Sequence, residues 1–370
     1  MSYGFFDDKN REYVITRPDT PLPWINYLGT NDFFGIISNT AGGYSFYKDA
    51  KLRRLTRYRY NNIPMDSNGR YIYIKDGDTL WNPMWKPVCT ALDKYECRHG
   101  MGYTKILGSK NGVEVSVLYF IPPGARNEIW HVKIKNNSKV TKELRMWGLV
   151  EWCLWDAQDD MTNFQRNYST GQVEVENGTI FHKTEYRERR NHYAYFSSDA
   201  KISGFDTSRD DFIGLHNGFH NPKAILGDGC SNGTAYGWLP LGVQQIDISL
   251  KPGEEKTINF FLGYAENPVE NKFNDDGTVR KDEFHAVREK YSDDSKVLQA
   301  FAEHNSNWDA LLSNYHAETP DPIVSRMANI WNQYQCMVTF NMSRSASLYE
   351  SGIGRGMGYR DSNQDVLGFV

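Results

Sequence analysis

The polar chemistry of this sequence is concentrated in the run from Ser351 to Asp365. Gly352, Gly354, Gly356 and Gly358 are interleaved there with Arg355, Arg360, Asp361, Asn363, Gln364 and Asp365. Glycine lets a backbone take conformations closed to other residues and come close to a ligand. Arginine, aspartate, asparagine and glutamine supply the donors and acceptors that sugar hydroxyls need. The spacing Gly354-x-Gly356-x-Gly358 is not a dinucleotide fingerprint, because it follows a helical stretch and charges crowd it. The plainer reading is a loop carrying solvated ion pairs, which contribute little. The density of hydrogen-bonding types favours a carbohydrate site. Two other groups are poorer candidates. His216 and His220 stand four apart, but Gly218 between them spoils a helical metal pair. Arg187, Arg189 and Arg190 form a basic cluster that suits a solvated or subunit-facing surface.

The elements that must position this chemistry change character along the chain. Up to residue 270 the pattern is strand-like. Val113, Val115, Val117 and Tyr119 follow a period of two, as do Trp130, Val132 and Ile134. Leu144 to Trp152 is apolar on both alternating sets, which predicts a strand buried on both faces. Asn177-Gly178 predicts a type I′ hairpin, since both residues tolerate positive φ. Pro252-Gly253, between Ile246–Leu250 and Ile258–Phe260, predicts a second hairpin. Short strands joined by turn signals, with no helices between, imply a mainly β fold built as a large antiparallel sandwich.

After residue 280 the spacing turns helical. Phe284, Val287 and Tyr291 recur, then Val297, Leu298 and Phe301, then Trp308, Leu311, Leu312 and Tyr315. Asp321 and Pro322 are a helix cap and a first helical residue, and Ile323, Met327, Ile330, Trp331, Tyr334 and Val338 then share one apolar stripe. A new domain is expected to open here. About fifty residues are too few to bury a core of their own, so the chain reads as a fragment of a longer protein.

Composition sets the outer limits. Of 370 residues, 42 are Lys or Arg and 46 Asp or Glu, a net charge of −4 that gives no bulk attraction for nucleic acid. No apolar run reaches the roughly 20 residues that span a bilayer, so no membrane partner is expected. The opening residues Met1 to Asp8 lack a basic end followed by an apolar stretch, so no secretory signal is expected. Five cysteines without C-x-x-C spacing fit reduced cytosolic thiols. Aromatic residues reach 14%, which suits sugar stacking but equally suits core filling.

The run from Gly354 to Val370 closely resembles the cellobiose phosphorylases of glycoside hydrolase family 94, and so does Ile330 to Ser347. Trp24 to Gly29, Asn39 to Tyr47, Asp159 to Arg166 and Thr184 to His192 are similar as well, so the likeness covers essentially the whole chain. It is nearer to the cellobiose than to the chitobiose members. The resemblance implies an N-terminal super-β-sandwich over 1–280, a helical linker over 281–318 and the truncated start of an (α/α)6 barrel over 319–370. It implies a cytoplasmic homodimer that needs no metal or cofactor. The implied reaction is inverting phosphorolysis, in which cellobiose and phosphate give α-glucose 1-phosphate and glucose. A protein acid protonates the departing oxygen while phosphate attacks the opposite face of the ring. Phosphate is already anionic, so cationic donors replace a base, and arginine's fork suits that task.

Residue by residue, the resemblance puts Arg355 and Asp361 on the glucosyl ring whose bond breaks. It puts Arg344, between Ser343 and Ser345, on phosphate; the alternative is an arginine that caps the last carbonyls of the preceding helix. Gln165 and Arg166 fall on the acceptor glucose, with a plain polar loop as the alternative. Arg360 and Asp365 are partners that would orient Arg355 and Asp361. The family's acid lies in a Trp-Asn-Asp motif that this sequence lacks. The acid is therefore expected beyond Val370, and the fragment is expected to be inactive alone. Three rival readings remain: a noncatalytic carbohydrate-binding sandwich, a related family member acting on cellodextrins, and a hydrolase in which water takes the place of phosphate.

Overall fold

A computed structural model describes residues 2–59, 66–162, 170–185, 191–237, 239–342, 348 and 358–368. Two antiparallel sheets pack face to face, one of eleven strands and one of nine. The first has the consecutive strands Lys94–Gly100, Tyr103–Lys110, Val113–Phe120 and Asn127–Asn136 at its centre, followed by Glu255–Glu266 and His192–Ser198. The second is organised by Lys142–Trp155, which pairs with Pro240–Leu250, with Tyr71–Asp76 and, further on, with Arg54–Thr56. Gly43–Tyr47, Phe33–Ser38 and Ile25–Leu28 continue this sheet.

Period-two patterning decides which side chains face inward. Val113, Val115, Val117 and Tyr119 join Trp130, Val132 and Ile134 in the core between the sheets, facing Leu144, Met146, Ile246 and Ile248. Burying each such side chain contributes roughly 1.5–3 kcal/mol. The outer faces are apolar too. Leu118, Phe120, Ile129 and Phe261 are covered by Phe284, Tyr291, Val297 and Ala300, carried on helices Asp282–Lys290 and Asp294–Leu312. Asp293 caps the longer helix, accepting from Ser295 N (3.0 Å) and Lys296 N (3.2 Å). Tyr71, Tyr73, Trp147 and Leu149 are covered by Phe212, Ile213, Ala224 and Ile225. Short helices at 157–162, 209–212 and 223–226 therefore interrupt the predicted all-strand run.

The Asn177-Gly178 hairpin forms as expected, with φ of 49° and 79°. Pro252-Gly253 does not make a hairpin. Gly253 turns at φ 79° and Glu254 N donates to Lys251 O (3.0 Å). Yet Pro240–Leu250 pairs in the second sheet and Glu255–Glu266 in the first. Asn136 closes this corner: Gly253 N donates to its carbonyl (2.8 Å), and its Nδ2 donates to Leu250 O (2.9 Å). Turn residues specify a reversal; they do not specify whether the two strands pair or face each other across a core.

Asp321 does cap the next helix, accepting from Ile323 N (2.8 Å), with Pro322 in the first turn. The predicted stripe is broken, however. A π turn at Met327–Trp331 separates Pro322–Arg326 from Asn332–Asn341. One wide turn rotates the helix beyond it relative to the turn before. Ile323 is 59% exposed, whereas Tyr334, Val338 and Met342 are buried. Among the described residues, no helix is long and apolar enough to cross a membrane.

A buried charge pair crosses the core. Arg70 meets Glu128; its guanidinium also donates to Ile36 O (3.0 Å) and Ser45 Oγ (2.7 Å). Glu128 accepts from Ser45 Oγ (2.9 Å) and Trp130 Nε1 (2.7 Å), so both sheets are tied to one pair. Truncating one member strands the other charge, at a cost of about 3–5 kcal/mol. Arg70→Met should lower stability to urea by that amount, and Arg70→Met/Glu128→Leu should recover much of it. A double variant no more stable than the single one would contradict this account.

Two buried histidines predict acid lability. Burial holds His99 down to about 4, despite its hydrogen bond to Trp24 O, and His182 down to about 3. His182 lies stacked on Trp152, with ring centroids 5.3 Å apart. The folded state resists protonation while the unfolded state accepts it near pH 6.5. Stability is therefore complete above that pH and falls as the pH drops toward 4 and 3. At pH 5 the loss is about 2 kcal/mol for each ring. Urea midpoints at pH 7 and pH 5 measure it, and a His182→Gln chain should lose part of the dependence.

Candidate functional site

Three segments carry the residues singled out above, and each leaves from a well-packed element. Arg344, Arg355, Gln165 and Arg166 lie outside the described residues, as do Arg187, Arg189 and Arg190. The helix Asn332–Asn341 precedes Arg344. Its Tyr334 OH donates to Asn26 Oδ1 (2.7 Å), and Asn26 Nδ2 donates to Gly100 O (2.9 Å) and Tyr103 O (2.7 Å). Burial pushes the Tyr334 phenol well above its ordinary range, so it stays a neutral donor. Tyr334, Val338 and Met342 pack on Phe34, Ile36, Tyr44, Phe46 and Tyr58 of the second sheet's outer face, and Leu348 joins the same cluster. Arg344 thus sits in sequence between two buried anchors, Met342 and Leu348.

The second segment is the helix Tyr359–Val366, which follows the glycines. Arg360 and Asp361 are exposed on its first turn. A carboxylate there is favoured by the unpaired amide groups of a helix start. A Cβ on Gly358 would stand 3.1 Å from Asp361 Oδ2, so glycine leaves room for that carboxylate. Ser362 and Asp365 are buried, 8% and 7% exposed. This inward side meets the helix Asn332–Asn341: a Cβ on Gly368 would collide with Cys336 Sγ. Arg360 and Asp361 are thus exposed and Ser362 and Asp365 buried, while Asp361 and Asp365, four apart, share one side of the helix. A groove of about 400 Å³ opens alongside, lined by Asn314, Tyr315, Ala328, Gln333 and Leu367 among others. Arg360 and Asp361 do not line it.

The third segment is the short helix Ala157–Thr162, which leads toward Gln165 and Arg166. Asp156 Oδ1 accepts from Gln158 N (2.9 Å) and Asp159 N (3.0 Å). Asp160, 2% exposed, turns back into the sandwich. Arg57 Nε donates to Asp160 Oδ1 (2.7 Å) and Arg57 Nη1 to Glu151 Oε1 (3.0 Å). Arg59 Nη2 donates to the Asp160 carbonyl (2.7 Å), Asn68 Nδ2 to Glu151 Oε2 (2.7 Å), and Arg209 Nε lies 3.2 Å from Glu151 Oε1. Burial opposes the charge on Arg57, but Glu151 and Asp160 outweigh it and raise its affinity for the proton.

Residues 54–59 link these segments. Arg57 holds the helix that precedes Gln165, and Tyr58 belongs to the cluster that receives Leu348. Arg54 stacks on Tyr44, 3.9 Å from the ring centre, and donates to Ala50 O (3.0 Å). Sequence reasoning missed this network. The available signal was Glu151, the one charged residue in the run Met146–Trp155, which demands a buried partner. His216 and His220 are both exposed, on the excursion that precedes Lys223–Leu226.

Comparison with known proteins identifies the family. Residues 11–294 match the model of the glycosyl hydrolase 94 supersandwich domain, and residues 307–370 match that of the glycosyl hydrolase 94 superfamily catalytic domain. An N,N'-diacetylchitobiose phosphorylase of Vibrio proteolyticus is 34% identical over 99% of this chain and 44% of its own length. A 3-O-beta-D-glucopyranosyl-beta-D-glucuronide phosphorylase of Paenibacillus borealis is 27% identical over 100% of this chain and 44% of its own. The chain thus spans less than half of these relatives. A solved structure titled as a kojibiose phosphorylase from the human microbiome superposes with a TM-score of 0.51 over 92% of this chain and 42% of its own, at 9% identity, a likeness of fold alone. The match to the sandwich model over most of its length, with the catalytic model continuing to the last residue, makes this chain a member of glycoside hydrolase family 94.

Proposed function

We propose that this chain is the N-terminal part of an inverting disaccharide phosphorylase. The reaction is phosphorolysis of a β-linked disaccharide to an α-sugar 1-phosphate and a free sugar. The observation that carries the proposal is the catalytic-domain match over 307–370, the region that holds Arg344, Arg355 and Asp361. The named relatives are phosphorylases of N,N'-diacetylchitobiose and of a glucosyl glucuronide. Cellobiose remains the substrate favoured by the likeness of residues 330–370, and N,N'-diacetylchitobiose is its competitor. Arg344 would hold phosphate, Arg355 and Asp361 the glucosyl ring, and Gln165 and Arg166 the acceptor. Arg360 and Asp365 would orient the glucosyl-binding pair. The enzyme is proposed to act as a cytosolic homodimer without metal or cofactor. Without a Trp-Asn-Asp acid, residues 1–370 alone should release no glucose 1-phosphate.

Full-length enzyme incubated with each disaccharide, with and without phosphate, tests the reading. Sugar 1-phosphate that forms only with phosphate supports it. Free sugar released equally without phosphate would make the protein a hydrolase, and no turnover on any β-linked disaccharide would favour a noncatalytic sugar-binding role.

Arg344→Ala should weaken the use of phosphate by about 1.5–3 kcal/mol, roughly ten- to a hundredfold in its KM, and the disaccharide's KM by far less. Equal effects on both would make Arg344 a helix-capping residue. Asp361→Asn should lower kcat in both directions, because phosphorolysis and synthesis share one transition state. An Asp361→Asn enzyme that melts and turns over normally would remove Asp361 from the site.

A further inference from the structure

We infer that Arg57, deep in the sandwich, is a positioning residue for acceptor recognition, acting through Asp160. The inference rests on the proposed reading of Gln165 and Arg166 as the acceptor's ligands. Asp160 is on the helix Ala157–Thr162, just ahead of those two residues in sequence. Its side chain is 2% exposed, far more buried than two short helical turns could arrange alone. The helix is held instead by charge-assisted bonds: Arg57 Nε and Nη2 to Asp160 Oδ1 (2.7 and 2.5 Å), and Arg59 Nη2 to its carbonyl (2.7 Å). At the helix start, Ala157 N donates to Lys51 O (2.7 Å). So a six-residue helix is fastened at its first and fourth residues to one neighbouring segment, 51–59.

The arrangement is specific in a way that apolar packing is not. Arg57 divides its guanidinium between Asp160 and Glu151 (3.0 Å), and Glu151 is itself fixed by Asn68 (2.7 Å) and Arg209 (3.2 Å). Both carboxylates lie on or after one strand, Lys142–Trp155, so Arg57 measures the distance between that strand and the helix that follows it. A displacement of about 1 Å at a binding group can cost a hundredfold in rate, so the departure point of the Gln165–Arg166 segment matters to the sugar it meets. Phosphate is to be bound from the other segment, whose flanking anchors Met342 and Leu348 are held by apolar packing and not by this ion network.

The test uses the full-length enzyme in the synthetic direction, with sugar 1-phosphate as donor and the free sugar acceptor varied. Phosphate KM is measured separately in phosphorolysis. Asp160→Asn and Arg57→Ala should raise the acceptor KM about tenfold or more while phosphate KM changes less than about twofold. Arg57→Lys, which keeps charge but loses the fork, should fall between. Should the buried variants fail to fold, Arg59→Ala, at a partly exposed site, removes one hold on the same helix and should shift acceptor KM in the same sense. An acceptor KM unchanged in folded variants, or one that moves in step with phosphate KM, overturns the inference. Gln165→Ala and Arg166→Ala separate the two claims. If these raise acceptor KM and Asp160→Asn does not, only the inference fails; if neither affects it, the acceptor reading itself fails.

Discussion

Strands Phe33–Ser38 and Gly43–Tyr47 are apolar on both faces, so one sheet must be covered twice. Their inner side chains, Phe33, Ile37 and Tyr47, fill the space between the sheets. Their outer ones, Phe34, Ile36, Tyr44 and Phe46, need a second layer, since a patch of that size seldom stays in water. Trp308 and Leu312 of the helix Asp294–Leu312, Tyr334 and Val338 of the helix Asn332–Asn341, and Met342 just after it supply it. The polar segment around Arg344 therefore starts from a surface that the sandwich already holds. The same constraint acts on the first sheet, where the linker helices cover Leu118, Phe120 and Phe261.

Apolar covering is not directional, and a helix on a flat face can slide or rotate at little cost. The directional element is polar and buried. Asn26 uses its amide donors on Gly100 and Tyr103 and offers its oxygen to Tyr334, which fixes the helix at one height and one rotation. The Arg57 network does the same for the helix at 157–162, and Arg70 with Glu128 does it between the sheets. Such groups gain little net free energy over apolar replacements, because desolvation offsets their attraction. What they add here is a single arrangement among several that would bury equal area.

The sequence is a good guide wherever the physics is local. Asn177-Gly178 needs only its own φ preference to make a hairpin, and Asp321-Pro322 only its own cap to start a helix. It fails where the outcome depends on partners far along the chain. Pro252-Gly253 turns as expected, but partners 90 or more residues upstream decide that the strands on either side join different sheets. The π turn at Met327–Trp331 is equally unreadable from spacing, for the apolar stripe itself is continuous; the strap between Asn329 and Ala317 (2.7 and 2.9 Å) accompanies it. The roles proposed for Arg355, Asp361 and Arg344 are legible only through long motifs shared with a family, although the polar density around Arg355 and Asp361 is plain from the residues. Glu151 was visible as an anomaly, but its partner Arg57 lies 94 residues away.

In the proposed reaction the two sugars and the phosphate must meet within a few ångströms, while the segments that would hold them come from different domains. A flexible junction would spend binding energy on bringing them together. The junction here is instead the strand Arg54–Thr56 and the three residues that follow it, held by a cation stacked on Tyr44 on one side and a buried ion network on the other. Arg57 faces the helix that precedes in sequence the segment proposed for the acceptor, and Tyr58 joins the cluster of Met342 and Leu348, which flank in sequence the segment proposed for phosphate. Arg57 and Tyr58 go to different neighbours, so adjacent residues can serve two segments without competing for space. On this view the sandwich sets the separation of the subsites, and the helices supply the chemistry.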